Sequence, residues 1–322
     1  MKKLLFGFLA LLIIQSCKDN EVELQEVRIK RDTIINQLTD SSYFGDVRSI
    51  YYTNNRYYMS DFKRNQVFIL NNNLKLINIF GGEGRGPGEF VGASQIYVNS
   101  DSIFVGNSYK QCIEVFNPAG YIKTINLKSQ VSLISTRFCQ DGGNLFMTTG
   151  NSRNSICKYN YQRDTIIFFG KQTKYNTSKE TRIKNNRHIL KFKNKIIAVP
   201  NCHPKIELYD MNGNFISKFD ISHLKPVNKI MNYIDRQNYE ENTYHQFIPD
   251  AYISKNKLYI LLSTTTINDH IKRKLIEFKI NDREVKPIRL LNMGEGLFEP
   301  ICIKEDTLLT FNNGRLIKYN LN

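Results

Sequence analysis

The sequence predicts an all-β chain folded as a six-bladed β-propeller with four antiparallel strands per blade, and three observations carry that prediction. The aromatic residues are 18 Tyr and 20 Phe with no Trp, set among plentiful β-branched residues, a composition that favours strands over helices. One pattern of short strand, strand, polar loop, strand, turn and strand comes round six times, at about the 40 to 50 residues expected of propeller blades. The last copy lacks its fourth strand, while a strand-like segment near the start belongs to no copy. At 322 residues and 41% hydrophobic content, the chain can bury a core of that size.

The start of the chain stands apart from the repeats. Lys2 and Lys3 precede an unbroken apolar run of eleven residues over 4–14, closed by Ser16 and Cys17, which reads as a secretory signal. So short a run does not span a bilayer as a stable helix. Ile14-Gln15-Ser16-Cys17 resembles a bacterial lipobox, in which cleavage exposes a cysteine for lipidation, although Gln15 departs from the pattern. The chain thus divides into a signal peptide over 1–16, a tether over 17–25 and a propeller over 26–322. The membrane partner is reached through a lipid on Cys17.

The copies follow in order. "YYMSDFKRNQVFILNNNLKLINIF" (57–80) sits beside "IFVGNSYKQCIEVFNPAGYIKTINL" (103–127), and the same order recurs over 145–169 and 196–221. A looser copy covers 258–291 and a truncated one 308–321. Each is preceded by a candidate inner strand, over 49–53, 95–98, 134–138, 189–192, 251–254 and 300–304. Hairpin turns are signalled by Asn71-Asn72-Asn73, Asn117-Pro118-Ala119-Gly120, Asp141-Gly142-Gly143 and Met211-Asn212-Gly213-Asn214. One ambiguous helical stretch, 228–241, inserts before the fifth copy. The orphan segment 26–38, "EVRIKRDTIINQL", is expected to supply the missing strand of the last blade and so close the ring without an exposed edge.

The glycine-rich "IFGGEGRGPGEF" (79–90) invites a phosphate-loop reading that its spacing rejects. A Walker-type loop ends in Gly-Lys-Ser/Thr, whereas Gly86 is followed by Pro87, and the third glycine of a dinucleotide fingerprint would fall on Pro87. The stretch joins the outer strand of the first blade to the inner strand of the second. A fainter echo, Gly294-Glu295-Gly296-Leu297-Phe298-Glu299, marks the fifth-to-sixth junction. Two like junctions point to a structural role, with Arg85 and Glu83 the residues placed to meet a ligand.

The phrase "FGGEGRGPGEF" and the blade phrase "SDFKRNQVFIL" resemble six-bladed propeller lipoproteins of the Bacteroidetes, a group similar to NHL-repeat proteins. Asp61, Asn107, Asn151, Asn201 and Asn312 hold the place of the NHL Asp or Asn that precedes a polar loop and an apolar strand; the fourth to sixth copies depart from the pattern. The resemblance implies the fold and an outer-membrane setting in the cell envelope, facing either the cell surface or the periplasm. It implies little about activity, since such propellers include scaffolds, sensors and some enzymes.

The formal charge is +15, or about +13 once Lys2 and Lys3 leave with the signal, which suits anionic partners. Export argues against nucleic acid. In a propeller the outer-to-inner connections and the second-to-third-strand loops share one face, which here would carry Arg85, Lys63, Arg64, Tyr109, Lys110, Arg153, His203, Lys205 and Arg315. Arg offers bidentate bonds to carboxylate or phosphate and Tyr a stacking surface. The bland alternative is a set of hydrated loop ends. The histidines His188, His203, His223, His245 and His270 show no HxH or HExxH spacing, and no GxSxG occurs, so no metal, cofactor or catalytic residue is assigned. Cys112, Cys139, Cys157, Cys202 and Cys302 read as buried small hydrophobes. The expected function is a lipid-anchored binding or scaffold module for a protein partner or anionic glycan; the alternative is an NHL-type metal-dependent lyase or hydrolase with a channel site.

Overall fold

The computed structural model describes residues 21–129, 136–150, 153–237, 240, 243–264 and 272–322. Two strands, β1 (Glu26–Arg28) and β2 (Lys30–Ile35), precede the first blade. That blade is β3 (Val47–Thr53), β4 (Arg56–Asp61), β5 (Gln66–Asn71) and β6 (Leu76–Gly81), counted from the inner strand outward. The second is β7 (Ala93–Asn99), β8 (Ser102–Asn107), β9 (Cys112–Asn117) and β10 (Gly120–Asn126). The third is β11 (Cys139–Asp141), β12 (Asn144–Thr148), β13 (Asn154–Asn160) and β14 (Thr165–Lys171), after which comes helix α1 (Ser178–Lys184). The fourth is β15 (Arg187–Phe192), β16 (Lys195–Pro200), β17 (Lys205–Asp210) and β18 (Phe215–Asp220), followed by helix α2 (Lys225–Asp235). The fifth is β19 (Asp250–Ser254), β20 (Lys257–Thr264), β21 (Lys272–Ile280) and β22 (Val285–Glu295). The sixth takes β23 (Ile301–Lys304), β24 (Thr307–Asn312) and β25 (Arg315–Asn320) from the end of the chain and its outer strand from the beginning.

The burial of each strand follows from its place in a blade. Middle strands such as β4 and β8 are buried at nearly every residue, because a neighbouring blade covers each face, whereas outer β18 alternates between exposed and half-buried. Packing is therefore between blades. The largest apolar cluster among the described residues runs from the fifth blade through the sixth into the first, with Phe44 edge-on to both Phe68 and Phe311 at 6.3 and 6.4 Å.

Polar side chains at strand ends set the turns. At the end of each third strand an Asn or Asp accepts from backbone amides two to four residues on: Asn71, Asn117, Asn160, Asp210, Asn281 and Asn320 all do so. Asp61 and Asn107 have a longer reach. The Asp61 carboxylate accepts from the amides of Gly45 and Asp46 at 2.6 and 2.9 Å, and Asn107 accepts from Val91 and donates to the Glu89 carbonyl, both at 3.0 Å. Each thus ties the end of a second strand to the connection that leads into its own blade.

The ring closes as expected, with one addition. β2 pairs antiparallel with β25, from Lys30 opposite Asn320 to Ile35 opposite Leu316. β1, by contrast, adds a fifth strand to the neighbouring blade, running parallel to β22. Residues 21–25, read as tether, already lie on the propeller. Val22 bridges to Leu224 in parallel, and Leu24 packs on the core of the fourth and fifth blades.

Three local expectations shift. The inner strand of the third blade is Cys139–Asp141, C-terminal to the predicted 134–138, of which 134–135 lie outside the described residues. Of the ambiguous stretch at 228–241, residues 228–235 are helical within α2, entered through Pro226 in its first turn, and 238, 239 and 241 lie outside the described residues. Helix α1 was not foreseen; its signal is Thr177 three residues before Glu180, and the Thr177 hydroxyl caps the Glu180 amide at 3.0 Å.

Deleting 26–38 should lower the melting temperature by roughly 10 °C or more, read by circular dichroism, because it reopens the ring and uncovers β25. Leu38→Ala, a 3% exposed member of the sixth-to-first cluster, should cost about 2–4 kcal/mol by denaturant titration.

Candidate functional site

The channel at the propeller axis is stoppered by a buried ion pair. Arg137, 4% exposed, enters from the second-to-third-blade connection and meets Asp250 at the head of β19. Its Nε donates to Asp250 Oδ1 at 2.6 Å and its Nη2 to Oδ2 at 2.7 Å, a bidentate fork. Nη2 also donates to the Ile301 carbonyl at 2.6 Å and Nη1 to that of Ile50 at 3.3 Å, while the guanidinium lies 5.0 Å from the Tyr252 ring centre. Asp250 accepts in turn from the amides of Ala251 and Ile301 at 2.8 and 2.9 Å. Burial alone would ease the proton off Arg137, but the charge and hydrogen bonds of Asp250 hold its pKa above the ordinary arginine value.

His188 completes the stopper. Its Nδ1 accepts from the Arg137 amide at 3.3 Å, and Nε2 faces the Ile248 carbonyl at 3.4 Å, the pattern of a neutral Nε2–H tautomer. Burial drives its pKa down to about 4, with the Arg137 charge acting in the same sense against the pull of Asp250. Five blades, the first, third, fourth, fifth and sixth, therefore meet around Arg137, three of them at its guanidinium and the fourth at its main-chain amide.

Two chambers remain. On the face of the outer-to-inner connections, here the upper face, a polar chamber of about 150 Å³ is lined by Asp46, Arg48, Gln95, Gln246, Asp250 and Glu299. Arg48 pairs with Asp46 at 2.7 Å, and Arg273 pairs with Glu299 at 3.0 Å. Gln95 Oε1 and the Nε and Nη1 of Arg273 are buried without hydrogen-bond partners. On the lower face a chamber of about 290 Å³ is walled by Tyr51, Ile96, Tyr97, Phe138, Ile189 and Tyr252, with Arg137 and the Cys139 thiol among its lining and Lys191 and Lys193 as its cations. Its rings sit edge-on or tilted, Tyr51 to Tyr97 at 5.4 Å and Tyr51 to Tyr252 at 6.2 Å. Burial pushes the Tyr51 phenol up to about 12 and raises the Cys139 thiol, so both stay protonated at neutral pH.

The residues expected at the upper face fall into two groups. Arg85, Lys63, Arg153, Lys205 and Arg315 are exposed there, as is Tyr109, whose ring lies 5.9 Å from Phe62. Arg64, Lys110 and His203 are held by internal partners. Arg64 donates to the Tyr43 carbonyl at 2.6 Å and lies over the Phe68 ring; His203 Nε2 lies 2.7 Å from the Tyr175 hydroxyl and, with its pKa lowered to about 4 by burial, is neutral. Lys110 neutralises the fully buried Glu114 at 2.6 Å and donates to the carbonyls of Gly86 and Glu89. Cys17, Asn151 and His270 lie outside the described residues.

The glycine-rich loop is occupied with itself. The amides of Gly84 and Phe90 donate to Phe90 and Gly82 at 3.1 and 2.8 Å, and that of Gly86 to Glu89 Oε2 at 2.7 Å. Gly81 has φ +82°, and a Cβ there would come within 2.4 Å of the fully buried Phe90 ring. The echo junction repeats the device, with Gly296 at φ +138° against the ring of buried Phe298.

Sequence reasoning missed Arg137 and Asp250. The available signal was a charged residue inside one inner-strand candidate, Arg137 in 134–138, and another, Asp250, directly before a second, 251–254, where burial without pairing is rare. Cys112, Cys139, Cys157 and Cys302 are buried free thiols and Cys202 is half-buried. Among the described residues no group of three or more His, Cys, Asp and Glu is arranged to hold a metal ion, and no helix is long and apolar enough to cross a membrane.

A family model, DUF5128, described as a 6-bladed beta-propeller, matches residues 10–260. A Bacteroides fragilis protein described as exported superposes with a TM-score of 0.60 at 13% identity, over 94% of this chain and 100% of its own. A DUF4221 member from Bacteroides vulgatus gives 0.57 at 10% over 94% and 98%, and virginiamycin B lyase from Staphylococcus aureus 0.53 at 12% over 91% and 100%. At these identities the likeness is one of fold. A comparison with curated proteins finds no match.

Arg137→Met leaves Asp250 charged and buried, and should cost about 3–5 kcal/mol in denaturant unfolding, with Arg137→Met/Asp250→Asn costing less than the single change. His188 should give stability a pH slope. Its folded pKa of about 4 lies below the ordinary imidazole value of 6.5, so the unfolded chain takes up the proton first. Stability is then full above pH 6.5 and falls from there toward pH 4; His188→Gln should flatten the upper part of that fall in melting curves.

Proposed function

The chain belongs to the DUF5128 family of 6-bladed β-propellers, and on that premise we propose that it is an exported binding module of the cell envelope, lipid-anchored through Cys17 in the outer membrane. The observation that carries the binding reading is the Arg137–Asp250 stopper. A channel closed at its middle by a 2.6 Å bidentate pair holds ligands in blind chambers and passes nothing through. The exported setting draws support from the signal-like start of the sequence and from the fold shared with the Bacteroides fragilis protein described as exported.

The partner proposed at the upper face is an anionic glycan, or an acidic patch on a protein. Arg85, Lys63, Lys205 and Arg315, with Arg153 and Tyr109 beside them, supply charge and stacking around a polar chamber in which the buried Gln95 Oε1 has no hydrogen-bond partner among the described residues. Lys110, Arg64 and His203 shape that surface by holding the loops beneath it. The catalytic alternative, a metal-dependent lyase or hydrolase, shares its fold with virginiamycin B lyase but lacks a set of candidate ligands among the described residues.

Affinity for a uronic-acid or sulfated oligosaccharide, measured by calorimetry on the chain from Lys18 onward, should fall about tenfold or more in Arg85→Glu/Arg315→Glu and weaken with salt. Equal affinity in the variant would remove the upper face from the binding site.

A further inference from the structure

The first described residues leave the propeller at one defined place. The Val22 amide donates to the His223 carbonyl at 2.9 Å, the Lys225 amide donates back to the Val22 carbonyl at 3.0 Å, and Glu23 pairs with Lys225 at 2.7 Å. Leu24 packs on the core below, and β1 continues on β22. The exit therefore lies beside the N-terminus of α2, in the connection from the fourth blade to the fifth, which belongs to the upper face. Between Cys17 and Val22 the chain can span at most about 18 Å, at roughly 3.5 Å per residue.

Helix α2 has the composition of a surface that meets headgroups. Val227 and Ile230 are buried and Met231 and Ile234 pack inward, which leaves Lys229, Asn232, Tyr233 and Arg236 exposed. Tyr233 is 39% exposed and Tyr244, in the same connection, 38%. Neighbouring parts of the same face add Lys174, Lys179 and Arg182 around α1, with the acidic Asp235 and Glu240 among them. Amphipathic tyrosines interleaved with cations suit the polar boundary of an anionic bilayer.

We infer that the edge of the upper face that carries α1 and α2 lies against the anionic membrane to which Cys17 is anchored, so that the Lys63, Arg85 and Arg315 side of that face stays clear of the bilayer and the aromatic lower chamber opens away from it. This orientation rests on the lipid-anchor reading. The short span from Cys17 brings α2 to the headgroups, and the charge of the face selects it over the rim.

The full lipidated chain in vesicles of phosphatidylcholine and phosphatidylglycerol tests it, with a nitrobenzoxadiazole probe placed through Asn232→Cys on α2 or through Lys255→Cys in the lower β19–β20 turn. The parent chain controls for its own thiols. The probe at position 232 should shift to the blue and be reduced by external dithionite several-fold more slowly than the probe at 255. Equal rates, or slower reduction at 255, in protein that carries lipid on Cys17 and floats with the vesicles would overturn the orientation alone. A Cys17 peptide without lipid by mass spectrometry would overturn the anchor reading and this inference with it.

Discussion

A ring of six twisted sheets has to join its two ends, and here the join is the hydrogen-bond ladder between β2 and β25. Most of the packing in the propeller is between blades that follow one another in the chain, so each can form as its neighbours do. The closing ladder alone brings residues 30–35 to residues 316–320. Once it is made, the sixth blade has its outer strand, the apolar cluster of Phe44, Phe68 and Phe311 is enclosed, and β23 and β3 stand side by side at the axis. The placement of Ile301 and Ile50 around Arg137 thus depends on a contact made at the opposite edge of the blade.

The stopper shows how that geometry is used. A guanidinium without water is costly to bury, and it is tolerated here because a carboxylate and two main-chain carbonyls converge on it from different blades. The arrangement converts an axial channel into two unlike cavities, one polar and one aromatic. It also relates stability to site shape, since the same side chain that locks the inner strands lines the lower chamber and, through Asp250, bounds the upper one.

Much of the fold was legible because its signals are local. Strand, turn and strand repeat along the chain, and the Asn or Asp that starts each turn, such as Asn117 or Asp210, acts within four residues of itself. The closing strand was legible by a count of what the last copy lacked. The parallel placement of β1 on β22 was not, because a three-residue strand carries no periodicity and its partner lies more than two hundred residues away. Arg137 and Asp250 are 113 residues apart, and nothing near either names the other. The upper-face cations could be placed on their loops from topology, but whether a given lysine faces solvent or a buried carboxylate, as Lys110 does with Glu114, is decided by the loop packed over it.

The order of attachments at the start of the chain has a mechanical meaning. A pull on the chain ahead of Val22 would load its bonds to His223 and Lys225 first, then the β1–β22 ladder, and only after these the strand that closes the ring. The two outer fastenings stand in series ahead of the closing ladder, so their loss would free several residues before the circular framework itself bears load.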